Sequence, residues 1–348
     1  MTKKKIIIAP LNWGLGHATR CVPIINLLLK NQFTPIIASD GDALALLQNE
    51  YPNLTFIELP SYGISYAKNL KTSLLFQMPK ILKAVRAEKK VIKKYIENNS
   101  DVIGIISDNR FGVRSPKVPS VYITHQINVF SGLTTFVSSK IHQKIIKKFD
   151  ECWVPDIANE GLSGRMSKAN NKNLHIKYIG VLSRFKKENL PIINKVLIVL
   201  SGIESQRILL EKKMIEEFKS YQGSVVLVQG KIAAEQAVKI ENGIKIYNYL
   251  LSSDLEREIN QSELIICRSG YSSVMDLAML AKKAFLIPTP NQPEQEYLAK
   301  HLKVKGFAPY CKQQDFNIQL LKKVKLYNGL MTEENSFDHS LFSLFERE

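Results

Sequence analysis

The sequence predicts an α/β protein built from two doubly wound parallel sheets. Three observations carry this expectation. Continuous apolar runs such as KIIIAP at 5–10 and KVLIVL at 195–200 read as strands buried on both faces. Apolar residues at helical spacing follow them, as with Ala18, Val22, Ile25 and Leu29. The pattern also starts twice, which implies two domains. A chain of 348 residues holds two cores at roughly 150 residues per domain. The expected boundaries are 1–182, a linker at 183–194 that is polar and carries Pro191, 195–330, and a tail helix at 331–348 with a stripe of Phe337, Leu341 and Leu344. Such a tail packs on either domain.

In the first half, strands are expected at 5–10, 34–39, 54–58, 102–107, 120–124 and 151–154. Helices are expected to follow the first strand and over 43–49, 80–97 and 135–148. In the second half, strands are expected at 195–200, 224–228, 244–246, 263–267 and 284–287, and helices at 205–219, 252–260, 272–281 and 294–303. Strands alternating with helices put parallel sheets between helical layers.

Lys plus Arg number 48 and Asp plus Glu 32, a net charge of +16. Residues 1–165 hold 22 basic and 12 acidic side chains, net +10. Such a field favours polyanions: a nucleic acid, a phosphorylated ligand or an anionic membrane surface. Four scattered cysteines with no CxxC pair point away from a zinc ribbon or redox motif and suit a reducing cytoplasm. The apolar start after Lys3, Lys4 and Lys5 is shorter than the ~7–15 residues of a signal-peptide core. No stretch reaches the ~20 apolar residues of a membrane span. A membrane role would therefore be peripheral.

The loop after the first strand reads LNWGLGHATR over 11–20. Gly14 and Gly16 let backbone approach a phosphate or sugar at a helix N-terminus. A tight strand–helix turn is the alternative, and the dinucleotide pattern GxGxxG fails at Thr19. His17 stands at the C-terminal edge of the strand, where open sheets bind ligands. The helix N-terminus disfavours its cation, which suits a base; a capping role is the alternative. The Asp40-Gly41-Asp42 triplet reads as a helix N-cap or turn rather than a metal site.

In the second half, ICRSGYSSVMD at 266–276 ends a strand and opens a helix. Ser269, Gly270 and Ser272 suit a diphosphate at the helix N-terminus, with Ser272 as its cap. Asp276, one turn inside, can accept two hydrogen bonds from a ribose diol. The cluster 291–296 (NQPEQE) offers amides and acids for sugar hydroxyls.

These segments resemble the GT-B glycosyltransferases of family 28, whose members include enzymes that glycosylate lipid-linked peptidoglycan precursors and the plant galactolipid synthases. The CRSG stretch before an acid-bearing helix carries the resemblance. GLGHATR is similar to the family's Gly-Gly-His loop, residues 124–128 (THQIN) to its His-Glu-Gln-Asn segment, and 179–184 (IGVLSR) to its Val-Gly-Asn-Pro-Val-Arg stretch. It implies two Rossmann-like domains facing across a cleft, the first for the acceptor and the second for the donor. It also implies inverting, metal-independent transfer of a hexose or N-acetylhexosamine from a UDP-sugar, with no cofactor. Asp276 would bind the ribose, with Arg184, Arg268, Ser201, Gly202, Ser269 and Gly270 near the phosphates. Leu250 or its neighbours would frame the base through backbone groups, and Glu294 and Gln295 would contact the sugar. His17 would be the catalytic base, and Gly14, Gly16, His125, Gln126 and Asn128 would face the acceptor.

The chain departs from the family in two places. Ser201-Gly202-Ile203 replaces Gly-Gly-Ser, so Ile203 offers phosphate no hydroxyl. Residues 108–112 (DNRFG) replace a second glycine-rich acceptor loop, which implies a different acceptor. Asp108 reads equally as a residue that orients His17 and as a turn former.

Leu74, Leu75 and Phe76, followed by Lys89, Lys90, Lys93 and Lys94, suit an anionic membrane surface and a lipid or glycan acceptor at the inner face of the cytoplasmic membrane. A core helix with a solvated basic face is the alternative. A UDP-sugar epimerase of the same fold is the first rival function. A nucleic-acid binder is disfavoured because 80–94 contains no aromatic residue. A nicotinamide enzyme is disfavoured by the missing third glycine.

Overall fold

The computed structural model describes residues 4–63, 70–158, 161–169, 171, 173–331 and 339–346; the side chains at 70–76, 133 and 339 lie outside the description. The chain divides into two compact units, Met1–Leu182 with Asn335–Glu348, and Ser183–Glu334.

The first unit runs β1 (Lys5–Pro10), α1 (Gly16–Lys30), β2 (Thr34–Ser39), α2 (Gly41–Glu50), β3 (Thr55–Glu58), α3 (Leu70–Asn98), β4 (Val102–Asp108), β5 (Ser120–Ile123), α4 (Thr135–Ile146), β6 (Glu151–Val154) and β7 (Ile176–Tyr178). Its strands form one parallel sheet in the order β3-β2-β1-β4-β5-β6-β7. Ile7, Ile36, Ile57 and Ile105 of the sheet pack against Ile92 and Ile96 of α3, which is why these strands read as unbroken apolar runs. The half-buried β7 extends the edge and is too short at three residues to show as a strand in sequence.

The second unit runs β8 (Asn194–Val199), α5 (Glu204–Phe218), β9 (Val225–Val228), β10 (Val238–Glu241), β11 (Ile244–Tyr247), α6 (Ser252–Asn260), β12 (Ser262–Cys267), α7 (Tyr271–Met279), β13 (Ala284–Leu286) and α8 (Pro293–Val304). The sheet order is β10-β11-β9-β8-β12-β13, parallel except for β10. Val196, Ile198 and Leu227 pack on Leu210, Met214 and Phe218 of α5. The antiparallel β10 was not expected, although Asn242-Gly243 between β10 and β11, both at positive φ (51° and 78°), is the tight-hairpin signal.

Two local expectations are corrected. The helix expected over 80–97 begins earlier: Leu70–Asn98 is the single helix α3, so Leu74, Leu75 and Phe76 belong to the same helix as the basic stretch. Leu75 and Lys90 then lie about 20 Å apart along its axis. The first turn of α7 contains Ser272 instead of being capped by it, and Gly270 takes the N-cap position. Asp40 occupies the N-cap position of α2, as expected, without a side-chain capping bond.

The C-terminal 3-10 turn His339–Phe345 joins the first unit. Phe342 packs 5.6 Å from Phe33, and Phe345 6.3 Å from Trp153. The Phe345 ring occupies the space a Cβ on Gly104 would need. Phe337 lies outside the described residues.

In each sheet the strand order reverses beside the first strand of the unit, between β1 and β4 and between β8 and β12. Loops at the carboxyl ends of such strand pairs are where open α/β sheets bind ligands. The segments 11–15, 109–112, 200–203 and 268–270 are those loops.

Candidate active site

Pro10 at the end of β1 pairs with Asp108 at the end of β4. This register puts the carboxylate of Asp108 beside the first turns of α1. His17 Nδ1 lies 3.0 Å from Asp108 Oδ1. The His17 side chain is 16 % exposed and that of Asp108 is fully buried. The sequence left Asp108 between an orienting residue and a turn former; the contact is with His17.

Arg20, one helical turn beyond His17, was not singled out from the sequence. It is buried. Its Nε donates to Asp108 Oδ2 at 2.6 Å, and its Nη2 donates to Oδ1 of the same carboxylate. The same Nη2 lies 2.7 Å from His17 Nδ1, and Nη1 lies 3.2 Å from His125 Nδ1. The i, i+3 spacing of His17 and Arg20 was the available signal.

Arginine carries only donors and an ionised carboxylate only acceptors. With Nδ1 protonated, His17 and Arg20 both donate to Asp108, and the His17 Nε2 lone pair is left to act as a base. Burial, then the Arg20 charge, holds His17 below its ordinary pKa, although Asp108 opposes this. Burial alone would raise Asp108, but Arg20 and His17 outweigh it and hold the carboxyl well below the usual range. A neutral imidazole beside a fixed carboxylate is the result.

Two further layers hold this group. Asn109, at φ 56°, donates to Asp108 Oδ1 at 3.2 Å and accepts from the Tyr122 hydroxyl at 2.9 Å. That hydroxyl also lies 3.0 Å from His142 Nε2, and burial lowers His142 to about 4. Arg110 is fully buried. It donates to Pro10 O at 3.0 Å, to Glu88 Oε2 at 3.1 Å, and to Asp40 Oδ1. Glu88 Oε1 accepts from Tyr62 at 2.6 Å and Gly112 N at 2.7 Å. Arg110 thereby ties the ends of β1 and β2 to α3 and fixes the turn that carries Asp108.

Among the predicted acceptor residues, Gly14 is exposed with φ 77°, and Gly16 opens α1. His125 is drawn to Arg20. Gln126 accepts from His142 through its backbone carbonyl. Asn128 Nδ2 donates to Arg165 O and Lys168 O, both at 2.9 Å, so the side chain braces a loop.

In the second unit, Asp276 Oδ1 accepts from Ser183 at 2.7 Å. Burial raises the carboxyl to about 6, against the opposing pull of Arg184 and Ser183. Arg184 donates to Ser252 Oγ at 3.0 Å and stacks 4.7 Å above Phe185. Leu250 is buried between β11 and α6. Gly202 has φ 90°, which favours glycine, and follows Ser201 at the end of β8.

Arg268, expected near the phosphates, lies in the interior behind its loop. It is fully buried, and its Nη atoms donate to Ile287 O, Pro288 O, Gln206 O and Gln313 Oε1. The buried Ser269 donates to Gln295 O at 2.8 Å. Gln295 Oε1 accepts from Thr289 N at 2.8 Å, so its carbonyl end is spent on the backbone. Gly270 caps α7 beside it, and Glu294 is half-buried in the first turn of α8.

On the membrane-facing set, the side chains of Leu74, Leu75 and Phe76 lie outside the described residues, while Lys89, Lys90, Lys93 and Lys94 are exposed. Among the described residues, no three His, Cys, Asp or Glu side chains group as metal ligands, and no helix is long and apolar enough to cross a membrane.

Residues 196–339 match the glycosyltransferase family 28 C-terminal domain. The chain is 25% identical over 252 residues to the UDP-N-acetylglucosamine–N-acetylmuramyl-(pentapeptide) pyrophosphoryl-undecaprenol N-acetylglucosamine transferase of Actinobacillus pleuropneumoniae, covering 70% of this chain and 67% of the relative. The enzyme of the same name from Vesicomyosocius okutanii is 24% identical over 335 residues, covering 93% and 89%. Among solved structures, the glycotransferase of kitacinnamycin aligns with TM-score 0.63 at 13% identity, covering 99% of this chain and 93% of the other. Acinetobacter baumannii MurG aligns with TM-score 0.55 at 15% identity, covering 94% and 92%. Two parallel-sheet units, each with its loops at the strand-order reversal, and these matches together identify the chain as a GT-B-fold glycosyltransferase resembling family 28.

Proposed function

We propose that the protein transfers a hexose or N-acetylhexosamine from a UDP-sugar to a hydroxyl acceptor, with inversion and without a metal. The observation that carries this reading is the His17–Asp108 contact at 3.0 Å, with Arg20 holding the carboxylate. His17 Nε2 takes the acceptor proton as the hydroxyl attacks the anomeric carbon opposite the diphosphate. Asp108 stabilises the imidazolium that forms. The loops 201–203 and 268–270 and the helix N-termini behind them receive the diphosphate, and Asp276 receives the ribose. Helix N-termini and Arg184 stabilise the charge that develops on the leaving UDP.

The acceptor is read as lipid-linked or a glycan, because the named relatives act on an undecaprenol-linked substrate. The membrane-docking surface is read on α4 in addition to α3. Phe136, Val137 and Ile141 are exposed there, at 69 %, 58 % and 51 %. Lys140 lies 4.3 Å above the Phe136 ring, and Lys144 is one turn on. Apolar side chains among lysines suit an anionic surface.

Mass spectrometry of products from a panel of UDP-sugars, with total lipid extract as acceptor, tests the reading. Sugar moved to an acceptor is expected. Isomerised sugar with no transfer would assign the epimerase instead.

A further inference from the structure

Thr289, two residues beyond the strand-end residue Ile287, was not singled out from the sequence. It is 6 % exposed. Its Oγ1 is buried and makes no hydrogen bond within the chain. Both backbone groups are satisfied: its N–H donates to Gln295 Oε1 at 2.8 Å, and its carbonyl accepts from Gln292 N at 3.2 Å. Only the hydroxyl is left over. A buried hydroxyl without a partner is destabilising, and such groups mark places where something else is bound.

The surroundings of this hydroxyl are specific. A Cβ on Gly202 would stand 3.5 Å from Oγ1, so the missing side chain at 202 leaves the hydroxyl open from that direction. Gly202 lies immediately before Ile203, the N-cap of the 15-residue helix α5. Gln295, which fixes the Thr289 backbone, has its Nε2 4.0 Å from where a Cβ on Gly270 would be. Gly270 is the N-cap of α7. The hydroxyl thus faces the loop that ends β8 and opens α5, and Gln295, which fixes the Thr289 backbone, borders the loop that ends β12 and opens α7; both loops lie at the strand-order reversal between β8 and β12. Two helix N-termini present a positive field and unpaired N–H groups to an anion. Glu204 in the first turn of α5 is exposed, where solvent screens its charge.

We propose that Thr289 donates its hydroxyl hydrogen to a phosphate oxygen of the nucleotide donor, supplying the hydroxyl that Ile203 cannot. The proposal rests on the nucleotide-sugar reading above and adds a ligand-contacting residue to it. Two halves of one anion site then come from different strands: backbone from the β8 loop and the side-chain donor from the end of β13.

Calorimetric titration of the full chain tests this with three probes, UDP, uridine and inorganic pyrophosphate, against Thr289→Val and Thr289→Ser. A hydrogen bond to a charged oxygen predicts about a tenfold or greater loss of UDP and pyrophosphate affinity in Thr289→Val. Uridine affinity is expected to be unchanged, and Thr289→Ser is expected to restore the phosphate probes. The Thr289→Val protein without ligand is expected to melt no lower than wild type, because it loses an unsatisfied hydroxyl. Equal UDP affinity in wild type and Thr289→Val overturns the assignment while leaving the donor reading intact. A loss of uridine affinity as large as that of UDP also overturns it, since the effect is then not on phosphate. If wild type binds pyrophosphate but no nucleoside diphosphate, the donor reading fails. The pyrophosphate comparison then decides Thr289 alone. Wild type that binds neither probe overturns both.

Discussion

Arg20 grips both carboxylate oxygens of Asp108, with Nε 2.6 Å from Oδ2 and Nη2 donating to Oδ1. The same guanidinium faces His17 and His125. A His–Asp pair alone would raise the imidazole pKa. Here the cation shares the carboxylate, and burial and the Arg20 charge keep His17 below its ordinary value.

Replacing Arg20 by Met is therefore expected to raise the His17 pKa and move the acid limb of the kcat/KM profile to higher pH. The base must be neutral to act, so rate is lost as pH falls through that pKa. Arg20→Lys keeps the charge and loses the fork, and an intermediate shift is expected. A fall in rate with an unmoved limb would assign Arg20 to structure alone. Imidazole NMR of His17 reads the same shift without an activity assay.

His17→Ala is expected to lower turnover by about 10²- to 10⁴-fold, the usual contribution of a general base. UDP affinity, measured by calorimetry, is expected to hold, because His17 belongs to the first unit. Turnover that survives with binding intact removes His17 from the chemistry.

Asp276→Asn is expected to stabilise the protein and abolish tight donor binding together. Burial raises the folded-state pKa to about 6, above the ~3.9 of an unfolded Asp. Between those values the folded state holds the proton and the unfolded state does not, so stability falls as pH rises from about 4 to 6. Above pH 6 the penalty is constant, on the order of 1–3 kcal/mol. Thermal melts of both proteins at pH 4 and pH 7.5 check this; the gain is expected at pH 7.5 and should largely vanish at pH 4.

Arg110→Met is expected to cost about 3–5 kcal/mol in urea denaturation, because it strands the Asp40 and Glu88 carboxylates in the interior. The triple change Arg110→Met, Asp40→Asn, Glu88→Gln is expected to recover part of that loss. Equal stability of wild type and the single variant would mean that water reaches these carboxylates.

The sequence by itself determined the alternating architecture. Buried parallel strands must be apolar on both faces, so β1 and β8 stand out as unbroken runs. It also showed Gly14, His17 and the CRSG segment just beyond strand ends, where open sheets bind ligands. Short edge strands were illegible: β7 has three half-buried residues, and β10 alternates weakly with an exposed Ile240.

Only the tertiary structure decided the partners. Arg20 and Asp108 are 88 residues apart, and Arg110 and Asp40 are 70 apart. Register across β1 and β4, not local spacing, brings the first pair together. Arg268 looked like a phosphate ligand by position, yet burial left it four protein oxygens to satisfy. Thr289 drew no notice in sequence, yet burial left its hydroxyl with no partner in the chain. A sequence displays which groups can donate or accept, but whether each is satisfied is set by packing, because the cost of leaving a donor unpaired arises only once water is excluded.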